Sequence, residues 1–271
     1  MKILLHHIAK TAGSSLIDSI RRLHPDSTCE VRYDSELTSQ LMLDEKYRFY
    51  HGHYSFDKVR QFKEIYPKLF TIVFLRHPYN RVISQYYNWI DEKRTTREFD
   101  VVTSRKLFTE DFIDAKRKQF AEIRKLTLLQ FLSSTDPDVF DVCYNHQTRY
   151  LSEKSLFRED PTQGLFNAIS NVKNFYDFVG LAEFYPESIS TLSKLLGLDE
   201  SRMADQKKLN TNSVWKVDGT YIISKEEHEK LDRLNNLDFA LYTYALSHCE
   251  HAQLAEVDDP FRKLLLPRVQ Q

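Results

Sequence analysis

Residues 69–75 read Leu-Phe-Thr-Ile-Val-Phe-Leu, and they constrain the chain more than any other stretch. A run that is apolar at every position but one has both faces buried, as a strand in the middle of a parallel sheet does. It stops at Arg76-His77-Pro78, after which Val82, Ile83, Tyr86, Tyr87 and Ile90 recur at helical spacing. The same strand–loop–helix order opens the chain. Residues 2–8 form an apolar run, 10–15 are small and polar, and Leu16, Ile17, Ile20 and Leu23 follow a helical stripe with Ser14 or Ser15 as its cap. Further strands are expected at 48–54 and 175–181, and helices at 186–196 and 225–247. A charged helical stretch covers 91–135, with Phe108, Phe112, Ile113, Phe120, Ile123 and Leu126 as its buried positions. Strands alternating with helices predict an α/β fold with a central, mainly parallel sheet. One domain over 1–271 is expected, with 250–271 as a peripheral C-terminal tail interrupted by Pro260 and Pro267.

Composition narrows the function classes. Hydrophobic residues make up 41% and charged residues 28%, as in an ordinary globular chain. The balance of 38 Lys and Arg against 39 Asp and Glu leaves a net charge of -1, so no global field recruits nucleic acid or an anionic membrane. No apolar stretch approaches the ~20 residues of a membrane span. Cys29, Cys143 and Cys249 are dispersed and form no CxxC pair, which reads as free thiols in a reducing, cytoplasmic setting.

The first loop is His7-Ile8-Ala9-Lys10-Thr11-Ala12-Gly13-Ser14-Ser15. A loop between a strand and a helix N-terminus suits an anion, because the first N–H groups and the helix dipole point at it. Gly13 lets the backbone approach closely, Thr11, Ser14 and Ser15 offer hydroxyls, and Lys10 a movable positive charge. A Walker loop places its lysine after the second glycine; here the lysine comes first, which demotes ATP hydrolysis. A solvated Ser/Thr turn capping a helix reads the same residues, and on this loop alone both stay open.

The second loop, Arg76-His77-Pro78-Tyr79-Asn80-Arg81-Val82-Ile83-Ser84, follows the strongest strand. Ligands of open α/β sheets bind beyond the carboxyl ends of strands. Arg76 there, with Ser84 about two turns into the next helix, offers a fork and a hydroxyl to a second phosphate. The alternative is an ion pair from Arg76 to a neighbouring carboxylate.

Together, HIAKTAGSSL and FLRHPYNRVISQYY resemble the cofactor loops of the sulfotransferase superfamily. The likeness is to the carbohydrate branch, especially the heparan sulfate 2-O- and 6-O-sulfotransferases and their bacterial relatives. It continues through Phe49-Tyr50-His51-Gly52-His53, Asn145-His146-Gln147-Thr148-Arg149-Tyr150-Leu151, Phe178-Val179-Gly180-Leu181-Ala182-Glu183 and Asn236-Leu237-Asp238-Phe239-Ala240-Leu241-Tyr242. The chain departs from the family pattern at Ala9, usually Pro, and at His77, usually Asp or Asn. The amino-terminal anchor of the Golgi members has no counterpart here, from which a soluble, bacterial enzyme is expected.

The resemblance implies a P-loop-like three-layer α/β/α fold with added helices, and 3′-phosphoadenosine 5′-phosphosulfate (PAPS) as donor with 3′-phosphoadenosine 5′-phosphate as product. It puts Lys10, Thr11, Ala12, Gly13, Ser14 and Ser15 at the 5′-phosphosulfate and Arg76 and Ser84 at the 3′-phosphate. Lys207 and Lys208, just before Leu209-Asn210-Thr211-Asn212, are expected in a loop closing over the adenosine or the 3′-phosphate. Lys10 is expected to stabilise the leaving oxygen. His53, in the place of the 2-O-sulfotransferases' catalytic histidine, is expected to be the general base. His51, on the same side if the segment is a strand, would support it. Arg81, Asn145, Gln147 and Arg149 are weaker candidates for the acceptor, a hydroxyl of a glycan or small metabolite. Residues 89–124 and 144–149 are the expected acceptor wall. No metal is expected, since HxH falls short of the three or four ligands a zinc site takes. The rival readings are a kinase-like phosphoryl transferase and a module that holds nucleotide without turnover.

Overall fold

Ile72 and Phe74 pack on one side of their strand and Val73 and Leu75 on the other, and all four are buried. A run that is apolar on both faces requires cover on both, and helices supply it. The computed structural model describes residues 1–31, 41, 44–104, 108–204 and 222–249, with the backbone of 268–269. In chain order the elements are β1 (Ile3–His6), α1 (Gly13–Leu23), β2 (Thr28–Glu30), β3 (Phe49–Gly52), α2 (Phe56–Ile65), β4 (Phe70–Leu75), α3 (Pro78–Ile90), α4 (Glu92–Ser104), α5 (Glu110–Ile123), α6 (Leu128–Leu132), α7 (Pro137–Cys143), α8 (His146–Leu151), α9 (Lys154–Glu159), α10 (Pro161–Asn174), β5 (Phe178–Leu181), α11 (Tyr185–Leu196), α12 (Glu200–Ala204), β6 (Ile222–Ile223), α13 (Lys225–His248) and β7 (Arg268–Val269). The chain divides into two units. The first takes Met1–Pro78, Asn145–Thr211 and Asn235–Leu265, the second Tyr79–Tyr144, Asn212–Leu234 and Leu266–Gln271.

The first unit holds a five-stranded sheet in the order β2-β3-β1-β4-β5, parallel throughout. Leu5, Phe49, Ile72, Phe74 and Phe178 form one face, packed on Leu16, Ile17 and Ile20 of α1 and Ile189 and Leu192 of α11. On the other face Val73 and Leu75 meet Leu165, Ala168 and Val172 of α10 and Leu241, Tyr242 and Ala245 of α13. Leu4 and Tyr50 meet Val59 and Phe62 of α2. This is a three-layer α/β/α arrangement, as the resemblance implies, around a sheet that the strand–helix alternation predicts to be mainly parallel and that is parallel throughout. Its register sets the ends of β1 and β4 side by side, with His6 opposite Val73.

The second unit is mostly helical. Trp89 lies edge-on to Phe120 and Phe131, with ring centroids at 4.9 and 5.9 Å, and Tyr86 meets Phe131 at 5.3 Å. Ile113 and Ile123 are buried as expected, but Phe108 and Phe112 are 39% and 43% exposed. Thr109 caps α5 by accepting from the Phe112 N–H, so Phe108 lies ahead of the helix and Phe112 falls beside its buried stripe. The two rings stack on each other instead, at 4.8 Å.

The helix expected at 225–247 is present as α13 but is broken at Asn235 (φ −130°, ψ 21°), where the chain passes from the second unit to the first. Among the described residues no helix is long and apolar enough to cross a membrane. Lys207, Lys208 and nearly all of the tail expected at 250–271 lie outside the described residues.

Candidate functional site

After β1 the chain turns through two left-handed residues, Lys10 and Ala12, each with φ 70°. That region costs a residue with a Cβ about 1–2 kcal/mol, so the surroundings must hold it. Thr11, buried, donates its hydroxyl to the Ile8 carbonyl at 2.9 Å. Arg76 Nη1 donates to the Lys10 carbonyl at 3.1 Å. The serine cap expected for α1 does not form. Its cap is Ala12, with no side-chain hydrogen bond, because the left-handed turn starts the helix at Gly13 and leaves Ser14 and Ser15 inside the first turn. A methyl group accepts nothing, so the N-terminal end of α1 keeps its positive character.

Gly13 has no left-handed backbone. Glycine is required there for another reason: a Cβ would lie 2.3 Å from His7 Cδ2 and 2.7 Å from His7 Nε2. The His7 ring also stacks on His53, with centroids 4.6 Å apart and planes at 25°. His53 Nδ1 lies 2.6 Å from the His7 carbonyl oxygen. A carbonyl only accepts, so Nδ1 carries the proton and the neutral ring has its lone pair on Nε2. Burial, followed by the neighbouring His53, His51, Lys10 and His6, holds the His7 pKa well below the usual histidine value, and His7 is neutral.

The other histidines are placed differently. β3 ends at Gly52, so strand alternation does not extend to His53, and His51 and His53 occupy different surroundings. His51 is buried beside the Phe49 ring, with Arg21 Nη2 3.4 Å from its Nε2. His53 is exposed. His6 is a core histidine: its Nε2 donates to the Tyr54 carbonyl at 2.8 Å, and its Nδ1 accepts from the Tyr176 hydroxyl at 2.6 Å.

At the end of β4, Gln147 clamps Arg76. Its Oε1 accepts from the Arg76 N–H and its Nε2 donates to the Arg76 carbonyl, both at 2.8 Å. Glu183 accepts the His77 N–H at 3.1 Å and the Tyr242 hydroxyl at 2.9 Å, with Arg76 Nε 3.9 Å away. The ion pair considered for Arg76 is therefore present at its long limit, on a carboxylate engaged elsewhere. Burial lowers the Arg76 pKa against Glu183 and Tyr242, which raise it; the guanidinium stays charged. Burial, and then Arg76, lowers the His77 pKa to about 4.

The polar motif at 145–149 builds this frame. Asp238 accepts from the Gln147 N–H at 3.1 Å, the Thr148 N–H at 2.7 Å and the Thr148 hydroxyl at 2.8 Å. Asn145 Oδ1 accepts from the N–H groups of Leu237 and Asp238 in return. Asn145 and Gln147, expected as acceptor contacts, are fully buried and hold the frame instead. Arg149 is half-buried at the end of α8. In the second unit Arg81, also expected at the acceptor, is fully buried and donates to the Val142 carbonyl at 2.5 Å. Ser84 lies buried on α3 of that unit.

Sequence reasoning did not assign roles to His7, to Asp238 or to Gln147 as a clamp. Asp238 had a signal, a carboxylate on the apolar stripe that runs through Leu231, Leu241 and Ala245. His7 had none beyond standing next to the loop.

Taken together, α1's N-terminus, Lys10 and Arg76 gather positive potential at adjoining strand ends, and a histidine with a fixed tautomer stands beside them. That set fits a phosphate-bearing ligand and a proton-accepting step. Among the described residues no group of three His, Cys, Asp or Glu side chains could hold a metal ion. No curated protein matches the chain. The family model described as the Sulfotransferase family matches residues 1–245, a span from β1 into α13 that contains both strand ends, and the chain belongs to that family.

Proposed function

We propose that the protein transfers the sulfonate of PAPS to a hydroxyl acceptor of the carbohydrate class. One observation carries the reading: His7 touches both halves of the chemistry, its ring against Gly13 of the loop and its carbonyl on His53. A loop that can hold an anion and a histidine that can take a proton are thereby adjacent. The residues fit the donor: the end of α1, the Lys10 ammonium and the Arg76 guanidinium are matched to an anionic nucleotide carrying two phosphate positions.

When bound, PAPS supplies an activated sulfonate on a phosphosulfate anhydride. Thr11, Ala12, Gly13, Ser14 and Ser15 form the loop that receives its 5′ end, mainly through N–H groups, since the Thr11 hydroxyl already donates inward. Lys10 stabilises the negative charge developing on the leaving oxygen. His53 takes the acceptor's proton at Nε2. His51 supports that end of the sheet from beside Arg21. Arg76, held at its backbone by Gln147, presents its guanidinium to the 3′-phosphate. The resemblance adds Ser84, Lys207 and Lys208 to the nucleotide and Arg149 to the acceptor. It also supplies the carbohydrate class, through the motifs at 49–53 and 145–151.

Calorimetric titration with 3′-phosphoadenosine 5′-phosphate, and with ATP plus Mg²⁺ in parallel, tests the donor. Binding of the first is expected; binding of ATP alone would overturn the reading. Arg76→Ala should weaken 3′-phosphoadenosine 5′-phosphate about 10- to 100-fold and leave adenosine 5′-phosphate unchanged, as loss of one charge-assisted contact predicts. Equal losses for both would remove Arg76 from the 3′-phosphate. Radiolabelled PAPS offered with an oligosaccharide panel tests the acceptor, and His53→Ala should slow transfer about 10²-fold or more.

A further inference from the structure

We infer that the His7 side chain is a positioning residue for His53, locking the base ring to the anion loop. The inference rests on the reading of His53 as the base but concerns a different residue, one the loop motif does not explain.

His53 is exposed and stands beyond the end of β3, so the sheet ladder does not hold it. An exposed imidazole rotates readily about two torsions, and a base with a wandering ring loses most of its advantage. His7 supplies two contacts that counter this. The main-chain carbonyl takes the Nδ1 proton at 2.6 Å, which selects the tautomer. The His7 ring lies flat against the His53 ring at 4.6 Å, which selects its plane.

The Cδ2–Nε2 edge of the His7 ring lies against Gly13, so closely that no Cβ fits there. The ring is therefore a spacer between the first residue of α1 and the base. A movement of the loop on taking up an anion is transmitted to His53 through a rigid flat group rather than through solvent. The charged and titratable groups facing His7 are Lys10, His51, His53 and His6, and burial together with these neighbours keeps His7 uncharged. A neutral spacer does not oppose protonation of His53 during the reaction, whereas an imidazolium at this distance would.

The test separates the stack from the carbonyl, which every substitution at position 7 retains. His7→Ala removes the ring; His7→Phe keeps a flat ring and cannot titrate. Imidazole ¹⁵N shifts of His53 read the tautomer in the free protein, without any assumption about turnover. In the native protein Nδ1 should be the protonated nitrogen, and adding 3′-phosphoadenosine 5′-phosphate should shift the Nε2 signal. In His7→Ala the unstacked His53 ring is free to turn away from the retained carbonyl, so the two nitrogens should move toward averaged values, the shift on ligand addition should vanish, and sulfonate loss from PAPS to water should fall about 10-fold or more, a part of the usual general-base contribution. His7→Phe should restore the tautomer and bring the rate within about threefold of native. Affinity for 3′-phosphoadenosine 5′-phosphate, expected within threefold of native for both variants, verifies the fold; His7→Gln replaces His7→Ala if the latter does not fold.

Unchanged His53 shifts in His7→Ala, or a His7→Phe variant as impaired as His7→Ala, would overturn the inference. Full turnover in His53→Ala would instead remove the base, while the ¹⁵N result would still decide whether His7 positions its ring.

Discussion

The chain leaves β1 and β4 side by side, and the two exits are built on opposite terms. After β1 the backbone passes through left-handed Lys10 and Ala12 and enters a helix whose cap is a methyl group. After β4 side chains take the backbone in hand: Gln147 takes both the N–H and the carbonyl of Arg76, and Glu183 takes the N–H of His77. The first exit leaves its helix end without a side-chain cap and accepts strain to do so. The second is tied from α8 and from the turn after β5, so that one guanidinium is held in place. An anion taken by main-chain N–H groups needs an unfilled helix end, and an anion taken by a side chain needs that side chain's root to be immobile. A bond from Arg76 Nη1 to the Lys10 carbonyl links the two exits.

The sharpest way to break the comparison is to remove charge from the first exit without disturbing its shape. Lys10→Ala keeps the carbonyl that Arg76 holds and deletes the side chain beyond Cβ, the ammonium with it. Turnover of PAPS should fall about 10²- to 10³-fold, the loss typical of one group stabilising developing charge, with little change in product affinity. Steady-state rates set against calorimetry distinguish this from a binding defect. A variant that turns over at the native rate would leave the strained loop without a chemical purpose.

Acid acts on the second exit. His77 is buried edge-on between Phe239 and Tyr242, at 5.1 and 5.7 Å, and its pKa is lowered to about 4. The unfolded chain protonates it near 6.5, so between pH 6.5 and 4 the unfolded state takes up a proton that the folded state refuses. The stabilising effect of the neutral ring is complete above 6.5 and is lost as the pH falls, by about 3 kcal/mol near pH 4 for a shift of this size. Burial of neutral His7 acts in the same direction. Denaturant titrations from pH 7.5 to 4 should show this slope, and His77→Asn should flatten it. An unchanged slope in His77→Asn would assign the acid sensitivity elsewhere.

Gln147 is the next test. Gln147→Leu fits a similar volume but leaves the Arg76 N–H and carbonyl without their partner. A stability loss of about 2–3 kcal/mol is expected from two backbone groups left unsatisfied. Weaker binding of 3′-phosphoadenosine 5′-phosphate should accompany it, because the guanidinium loses its fixed root. If stability falls and affinity does not, the clamp serves the fold alone.

How much of this is legible in the sequence differs between the two exits. The strand over 69–75 is legible because burial on both faces needs an unbroken apolar run, and the all-parallel sheet follows from the strand–helix order. β2 is not, since three residues at a sheet edge, Thr28, Cys29 and Glu30, are too few to show a readable alternation. Arg76 is legible as a charge at a strand end, but its support comes from residues 71 and 107 positions further along, which spacing does not connect. Asn145 and Gln147 read as acceptor contacts because polarity, not burial, is what a sequence displays; the reciprocal bonds with the 237–238 backbone and Asp238 are long-range. At the first exit Ser14 and Ser15 have the right chemistry for a cap and Ala12 the wrong one, and the backbone turn overrides propensity. Gly13 is readable as special, but the reason lies in the His7 ring rather than in its own torsions.

Two neighbouring positions of that loop give the smallest effects and the finest test, because they should respond with opposite signs. Gly13→Ala sets a methyl group against the His7 ring and should cost about 1–3 kcal/mol, as overpacking does. Ala12→Gly should do the reverse. Its φ of 70° costs alanine about 1–2 kcal/mol that glycine avoids, while glycine's freer unfolded chain returns part of the gain. A net stabilisation of about 0.5–1 kcal/mol remains, and differential scanning calorimetry should place the melting temperature about 1–3 °C above native. The stabilised variant should bind 3′-phosphoadenosine 5′-phosphate no better, and up to a few-fold worse. A glycine there no longer confines the loop to one shape, and ordering it on binding then costs entropy that the strained alanine loop has already lost. If Ala12→Gly raises both stability and affinity, the left-handed turn is mere strain; if it raises the first and lowers the second, the strain is what keeps the first exit shaped for its anion.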